Sequence, residues 1–157
     1  MIILINELSR RKSMSLITKI LVGYDGSKAG DKALDYAINI AKSFNARLYI
    51  LHVIEEGKIA IAPDSSMYPA LIDTMERQGR DLLNKAVERA KNQGVNAEGL
   101  LEVGTDAAET IINVANNLNV DLIVVGSRGL KGLTRFLLGS VSEKVVRYAN
   151  RPVLVVH

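Results

Sequence analysis

Residues 19–27 read KILVGYDGS: a short aliphatic run closed by glycine, then a carboxylate, a second glycine and a serine. An apolar run of this length without polar alternation is what a strand buried on both faces requires. Gly26 then permits a tight turn, and the Ser27 hydroxyl is placed to cap a helix. A stripe of Ala33, Leu34, Ala37, Ile38 and Ala41 follows at the spacing of one helical face.

The same unit recurs along the chain. Strands are predicted over residues 19–24, 46–53, 97–103, 122–126 and 152–156, each short and rich in β-branched side chains. Between them lie helical stripes: Leu71, Ile72, Met75, Leu82, Leu83, Ala86, Val87 and Ala90; then Ile111, Ile112, Ala115 and Leu118; then Val141, Val145, Val146 and Ala149. Asp106 with Glu109, and Ser140 with Glu143, have capping-box spacing, while Gly94 follows the last periodic residues of the second helix. Strict alternation of strand and helix predicts an α/β fold: a single doubly wound, Rossmann-like domain, with a five-stranded parallel sheet and about four helices on both faces. The connection 55–66, which contains Pro63, is longer than a turn and is read as a functional loop.

Composition narrows the chemistry. The chain has 157 residues, 48% of them hydrophobic and 24% charged, which fits one globular domain. It has no cysteine, which excludes disulfides, thiolate metal sites and cysteine nucleophiles, and its two histidines, His52 and His157, offer little for a metal centre or a triad. Neither histidine is given a catalytic role; His52 is read as a packed or hydrogen-bonded side chain near a strand end. With no tryptophan and 4% aromatic residues, stacking platforms for nucleic acid are lacking, so no nucleic-acid partner is expected.

The net charge of +3 is unevenly placed. Arg10, Arg11 and Lys12 against Glu7 give the leader a local +2, leaving +1 for the rest. Residues 1–13 have neither the order of a secretory signal nor the long apolar core of a twin-arginine signal, and are read as an N-terminal extension, disordered or a start-site artefact. Residues 14–157 are the predicted domain. No run approaches the ~18 apolar residues of a membrane helix, so a cytoplasmic protein without a membrane partner is expected.

In an open α/β sheet, ligands gather outside the carboxyl ends of the strands, where strand order reverses. Two loops there carry chemistry. After the first strand come Gly23 and Asp25. After the fourth come Gly126, Ser127, Arg128, Gly129, Leu130, Lys131 and Gly132, then Gly139, Ser140, Val141 and Ser142 at the start of the last helix. Glycines allow close backbone approach, and N–H groups at a helix N-terminus attract an anion, with phosphate the natural choice. Neither the P-loop motif nor G-x-G-x-x-G is present; the spacing is instead G-x2-G-x9-G-[ST], filled by Gly126, Gly129, Gly139 and Ser140.

This pattern resembles the ATP-binding branch of the universal stress protein family over residues 14–157. Asp25, Leu51-His52-Val53, the VGSRG of residues 125–129 and the RPVLVV of residues 151–156 match that family's order. The resemblance implies a site for ATP with Mg or Mn, the ion held mainly by phosphates and water. It places Gly23 and Asp25 at the adenosine end and the main chain of Val53 against adenine. Residues 126–132 are placed around ribose and phosphates, and residues 139–142 at the phosphate tail. It also implies a homodimer formed through the C-terminal strand, residues 152–156, whose apolar edge would otherwise be uncovered.

The residues leave three functions open: a nucleotide-dependent regulatory module of the stress response, a slow ATP hydrolase or autokinase, and a dimeric scaffold with a vestigial pocket. No evident base lies near the phosphate end, which favours the first and leaves no residue assigned to catalysis.

Overall fold

The computed structural model describes residues 16–58, 65–127 and 139–157. Its elements alternate as β1 (Lys19–Gly23), α1 (Lys28–Phe44), β2 (Arg47–Glu55), α2 (Tyr68–Asn92), β3 (Ala97–Gly104), α3 (Ala107–Leu118), β4 (Leu122–Gly126), α4 (Ser140–Tyr148) and β5 (Val153–Val156). Short 3-10 turns cover Glu56–Lys58 and Ser65–Met67. All strand pairs are parallel, and the sheet order is β3-β2-β1-β4-β5. The chain winds outward through β2 and β3, then returns to the other side of β1 through β4 and β5. The reversal falls between β1 and β4, where a doubly wound sheet opens its crevice.

Period-two alternation divides the core. Ile20, Val22, Leu48, Ile50 and Val124 face α1 and α2. Leu21, Tyr49, Leu51, Ile123 and Val125 face α3 and α4. Ile20, Leu21, Leu48, Ile50 and Ile123 are wholly buried, each contributing about 1.5–3 kcal/mol relative to exposure. The predicted α/β sandwich is therefore the fold, with small differences at its edges. β1 stops at Gly23, β2 continues to Glu55, and β5 begins after Pro152. On α2, burial begins only at Gly79, while Leu71 is exposed.

Helix ends follow local chemistry. The Ser27 hydroxyl accepts the Gly30 N–H at 3.1 Å, and the Asp106 carboxylate accepts the Glu109 N–H at 3.0 Å. At the other ends, Asn45 and Asn119 adopt the left-handed conformation, and Gly94 does so beyond α2. One cap differs from expectation. Ser140 lies inside α4 and Gly139 is the N-cap, so the Ser140–Glu143 capping box does not form. The Glu143 N–H donates to the Gly139 carbonyl at 2.8 Å and the Ser142 hydroxyl donates to the same oxygen at 2.9 Å.

At the amino ends of the strands, Asp121 ties the start of β1 to that of β4. It accepts the Thr18 N–H, the Thr18 hydroxyl and the Lys19 N–H at 2.8, 2.9 and 3.0 Å. Burial pushes this carboxyl up, but the hydrogen bonds from Thr18 and Lys19 outweigh it and hold the pKa below its ordinary value.

Candidate functional site

A cavity of about 380 Å³ opens at the carboxyl ends of β1, β2 and β4, between the N-termini of α1, α3 and α4. This volume is within the usual range of small-ligand sites. Its β1 wall is Gly23, Tyr24 and Asp25; its β2 wall runs from Leu51 to Glu55. Val125 and Gly126 form the floor at β4, and Gly139, Ser140, Val141 and Ser142 form the rim at α4.

Asp25 is held in place by the turn it begins. Its carboxylate accepts the Ser27 N–H at 3.0 Å, and Gly26 takes a φ of 75° beside it. Gly30 makes room for that carboxylate, since a β-carbon there would stand 2.7 Å from Asp25 Oδ1. Tyr24 turns away along α1 and donates its hydroxyl to Asp31 at 2.8 Å. Burial and the Asp31 hydrogen bond push this phenol up to about 12. Arg89 of α2 pairs with Asp31 and Asp35, tying α2 to this flank. His52 Nδ1–H donates to the Tyr24 carbonyl at 2.9 Å, and the missing side chain of Gly79 makes room for its ring. The expected packed role of His52 is thus what the structure shows.

The three helix N-termini differ in a way that matters chemically. At α1, the Ser27 hydroxyl takes the Gly30 N–H and Asp25 takes the Ser27 N–H. At α3, Asp106 takes the Glu109 N–H and Glu55 takes the Ala107 N–H at 3.0 Å. At α4, no side chain caps the helix. Its first-turn N–H groups lie on the cavity rim, so the positive end of that helix dipole is the one left for a ligand. The absent capping box at Ser140 is therefore part of the site. Lys144, on the outer face of α4, pairs with Asp106. The hydrogen bond from Lys144, with that from the Glu109 N–H, holds the Asp106 carboxyl below its ordinary value.

Of the residues singled out from sequence, the structure brings Gly23, Asp25, Val53, Gly126, Gly139, Ser140, Val141 and Ser142 to one cavity. Ser127 does not line it. Its N–H donates to the Val156 carbonyl at 2.8 Å, and its hydroxyl meets His157 Nδ1 at 2.8 Å, because the register sets β4 beside β5. Gly126 lines the cavity and also packs closely: a β-carbon there would approach the Ala29 carbonyl oxygen to 2.5 Å, so close helix packing by itself requires glycine. Arg128, Gly129, Leu130, Lys131 and Gly132 lie outside the described residues. Sequence reading missed Glu55, Met75, Ala107 and Ile111, which also line the cavity. Their only signal is position at the end of β2 or the start of α2 and α3.

Comparison with known proteins gives a consistent result. The model of the universal stress protein family matches residues 17–157. Universal stress protein YxiE of Bacillus subtilis is 40% identical over 151 residues, spanning 90% of this chain and 99% of that protein. Among solved structures, hypothetical protein MJ0577 superposes with a TM-score of 0.79 at 28% identity, over 90% of this chain and 96% of the other. A universal stress protein in complex with cAMP superposes at 0.65 and 30% identity, over 90% and 97%.

Proposed function

The chain belongs to the universal stress protein family, and on that premise we propose that it is an ATP-binding regulatory module of the stress response, working in the cytoplasm. The carrying observation is the uncapped N-terminus of α4 on the rim of a cavity whose other two helix ends are satisfied by protein side chains. An anionic group suits that end, and the Asp25 carboxylate at the β1 wall suits the donor groups of a nucleoside. The cAMP complex of a relative supports an adenine nucleotide as the ligand.

In this reading Gly23, Asp25 and Val53 hold the adenosine end. Gly126, with Arg128, Gly129, Leu130, Lys131 and Gly132 further along the chain, surrounds ribose and phosphates, and Gly139, Ser140, Val141 and Ser142 receive the phosphate tail. Among the described residues no group of three or more His, Asp or Glu side chains is placed to hold a metal ion. A magnesium or manganese ion is assigned to the phosphate oxygens and water, since magnesium keeps several of its waters. ATP occupancy acts by binding one conformation more tightly than another, and no residue is assigned to hydrolysis. The working unit is residues 14–157, with residues 1–13 outside the nucleotide machinery.

We further infer a homodimer through β5. That strand is an edge of the sheet, and Val153, Leu154 and Val155 are only partly buried. Tyr36 and Phe44, on the flank of α1 away from Arg89, are exposed at 56% and 43%. A two-fold partner would cover both. Light scattering after size exclusion checks this: a stable monomer at micromolar concentration would sink the dimer. The nucleotide reading is tested by mass spectrometry of ligand released from purified protein. Release of ATP supports it, whereas absence of any nucleotide together with failure to bind added ATP would refute it.

A further inference from the structure

We propose that His52 is a positioning residue of this site: its ring takes the Tyr24 carbonyl out of the β1–β2 ladder and so leaves the Val53 N–H for the base of the nucleotide. This role rests on the nucleotide reading above, which holds Val53 at the adenosine end, and adds the residue that keeps that N–H open.

The ladder calls for a bond that the structure does not make. β1 and β2 pair in parallel from Lys19 with Arg47 to Gly23 with Leu51. One residue further the pairing continues by half, because the Tyr24 N–H donates to the Leu51 carbonyl at 2.8 Å. In a parallel ladder, a residue that donates to one carbonyl of its neighbour accepts, through its own carbonyl, the N–H two positions further along that neighbour. For Tyr24 that donor would be Val53. The register nevertheless stops at Gly23, and the Tyr24 carbonyl accepts Nδ1–H of His52 at 2.9 Å instead. Backbone groups of successive strand residues turn to opposite neighbours, so the Val53 N–H points to the same side as the Leu51 carbonyl. On that side β1 has ended and the cavity begins, with Tyr24 and Val53 both in its wall.

The ring is held for this task from behind. A β-carbon on Gly79 of α2 would stand 2.9 Å from His52 Cδ2 and 2.8 Å from Leu101 Cδ1. Leu101 is the β3 residue in register with His52. The imidazole therefore fills the space between the end of β1 and the backbone of α2. A carbonyl only accepts, so Nδ1 carries the proton whether the ring is neutral or charged. Tyr24 is thus clamped at both its N–H and its carbonyl, which also fixes the peptide leading to Asp25. An amide N–H at a cavity wall needs a partner, and a ring nitrogen of a base supplies an acceptor there once water is displaced.

Amide hydrogen exchange followed by NMR on the ligand-free protein tests the ladder, and calorimetric titration with ATP tests its use. In the natural protein the Val53 N–H should exchange at least about tenfold faster than the Leu51 N–H, which lies within the ladder. In His52→Leu the Tyr24 carbonyl returns to Val53, so the two rates should come within about threefold, and ATP should bind about tenfold more weakly, the loss of roughly one hydrogen bond. His52→Asn carries an amide nitrogen as many bonds from the backbone as Nδ1, and should restore fast exchange and an ATP affinity within about threefold of the natural one. Asparagine replaces the donor but not the bulk of the ring, so this rescue separates positioning from packing. Protection of Val53 equal to that of Leu51 in the natural protein, a measurement that needs no substitution, would overturn the role of His52. Equal ATP affinity in the natural protein and folded His52→Leu, or no rescue by asparagine, would do the same. Fast Val53 exchange without binding of any adenine nucleotide would overturn the nucleotide reading and leave the interruption of the ladder by His52 standing.

Discussion

The end of β4 and the first turn of α1 meet backbone to backbone: a β-carbon on Gly126 would lie 2.5 Å from the carbonyl oxygen of Ala29. That contact sets how closely α1 approaches the crevice between β1 and β4. It also places the capped turn of Ser27 and Asp25 on one wall of the cavity opposite α4. Because the facing atoms are backbone, no side-chain rotation relieves a substitution there.

Gly126→Ala is therefore expected to destabilise the fold by about 1–3 kcal/mol, the usual cost of overpacking. Urea denaturation should show a lower midpoint with an unchanged slope. A midpoint equal to that of the natural protein would show that α1 can move away at little cost.

Two serines at helix starts are expected to behave differently. Ser27 caps α1 through Gly30, so Ser27→Ala should cost about 1 kcal/mol. Ser140 caps nothing, so Ser140→Ala should alter stability by less than about 0.5 kcal/mol. Denaturation of both variants checks the contrast; equal losses would mean that Ser140 caps after all.

Acid should weaken the junction of α3 and α4. The Asp106 pKa is lowered, first by the Lys144 hydrogen bond, so its contribution is present above the unfolded value near about 3.9. That contribution is lost as pH falls from there through the lower folded value. Stability measured between pH 6 and pH 2 should decline less steeply in Asp106→Asn than in the natural protein. Parallel declines would show that Asp106 contributes no pH-dependent stability.

The alkaline limb has the opposite sign. Burial and the Asp31 bond raise Tyr24 to about 12, above an unfolded value near about 10. Its contribution is full below the unfolded value and disappears as pH rises through the folded one. Ultraviolet titration should show a tyrosine component ionising near about 12 that is absent in Tyr24→Phe. Loss of no late component on substitution would contradict this.

The strands were legible because five short apolar runs cannot be anything but buried in a chain with this alternation, and Asp25 was legible because it directly follows β1. The N-cap of α4 was not, since Gly139 and Ser140 are both good cap residues and only backbone geometry chooses between them. Ser127 looked like a ligand residue by adjacency to Gly126, yet the pairing of Gly126 with Val156 turns it toward His157. Glu55 and Ala107 are 52 positions apart. Their meeting depends on β2 and β3 being neighbours and on the length of the strand that returns to α3, neither of which a local pattern records.

In the proposed function, the open N-terminus of α4 receives the phosphates of ATP. Calorimetric titration with ATP and magnesium, run on the natural protein and on Gly139→Val with the fold of each confirmed by circular dichroism, tests it directly. Binding near the micromolar level, with roughly 8 kcal/mol of free energy, is predicted for the natural protein, together with at least about a tenfold loss in Gly139→Val. Equal affinity in the two folded proteins, or no heat from any adenine nucleotide with the natural one, would contradict it.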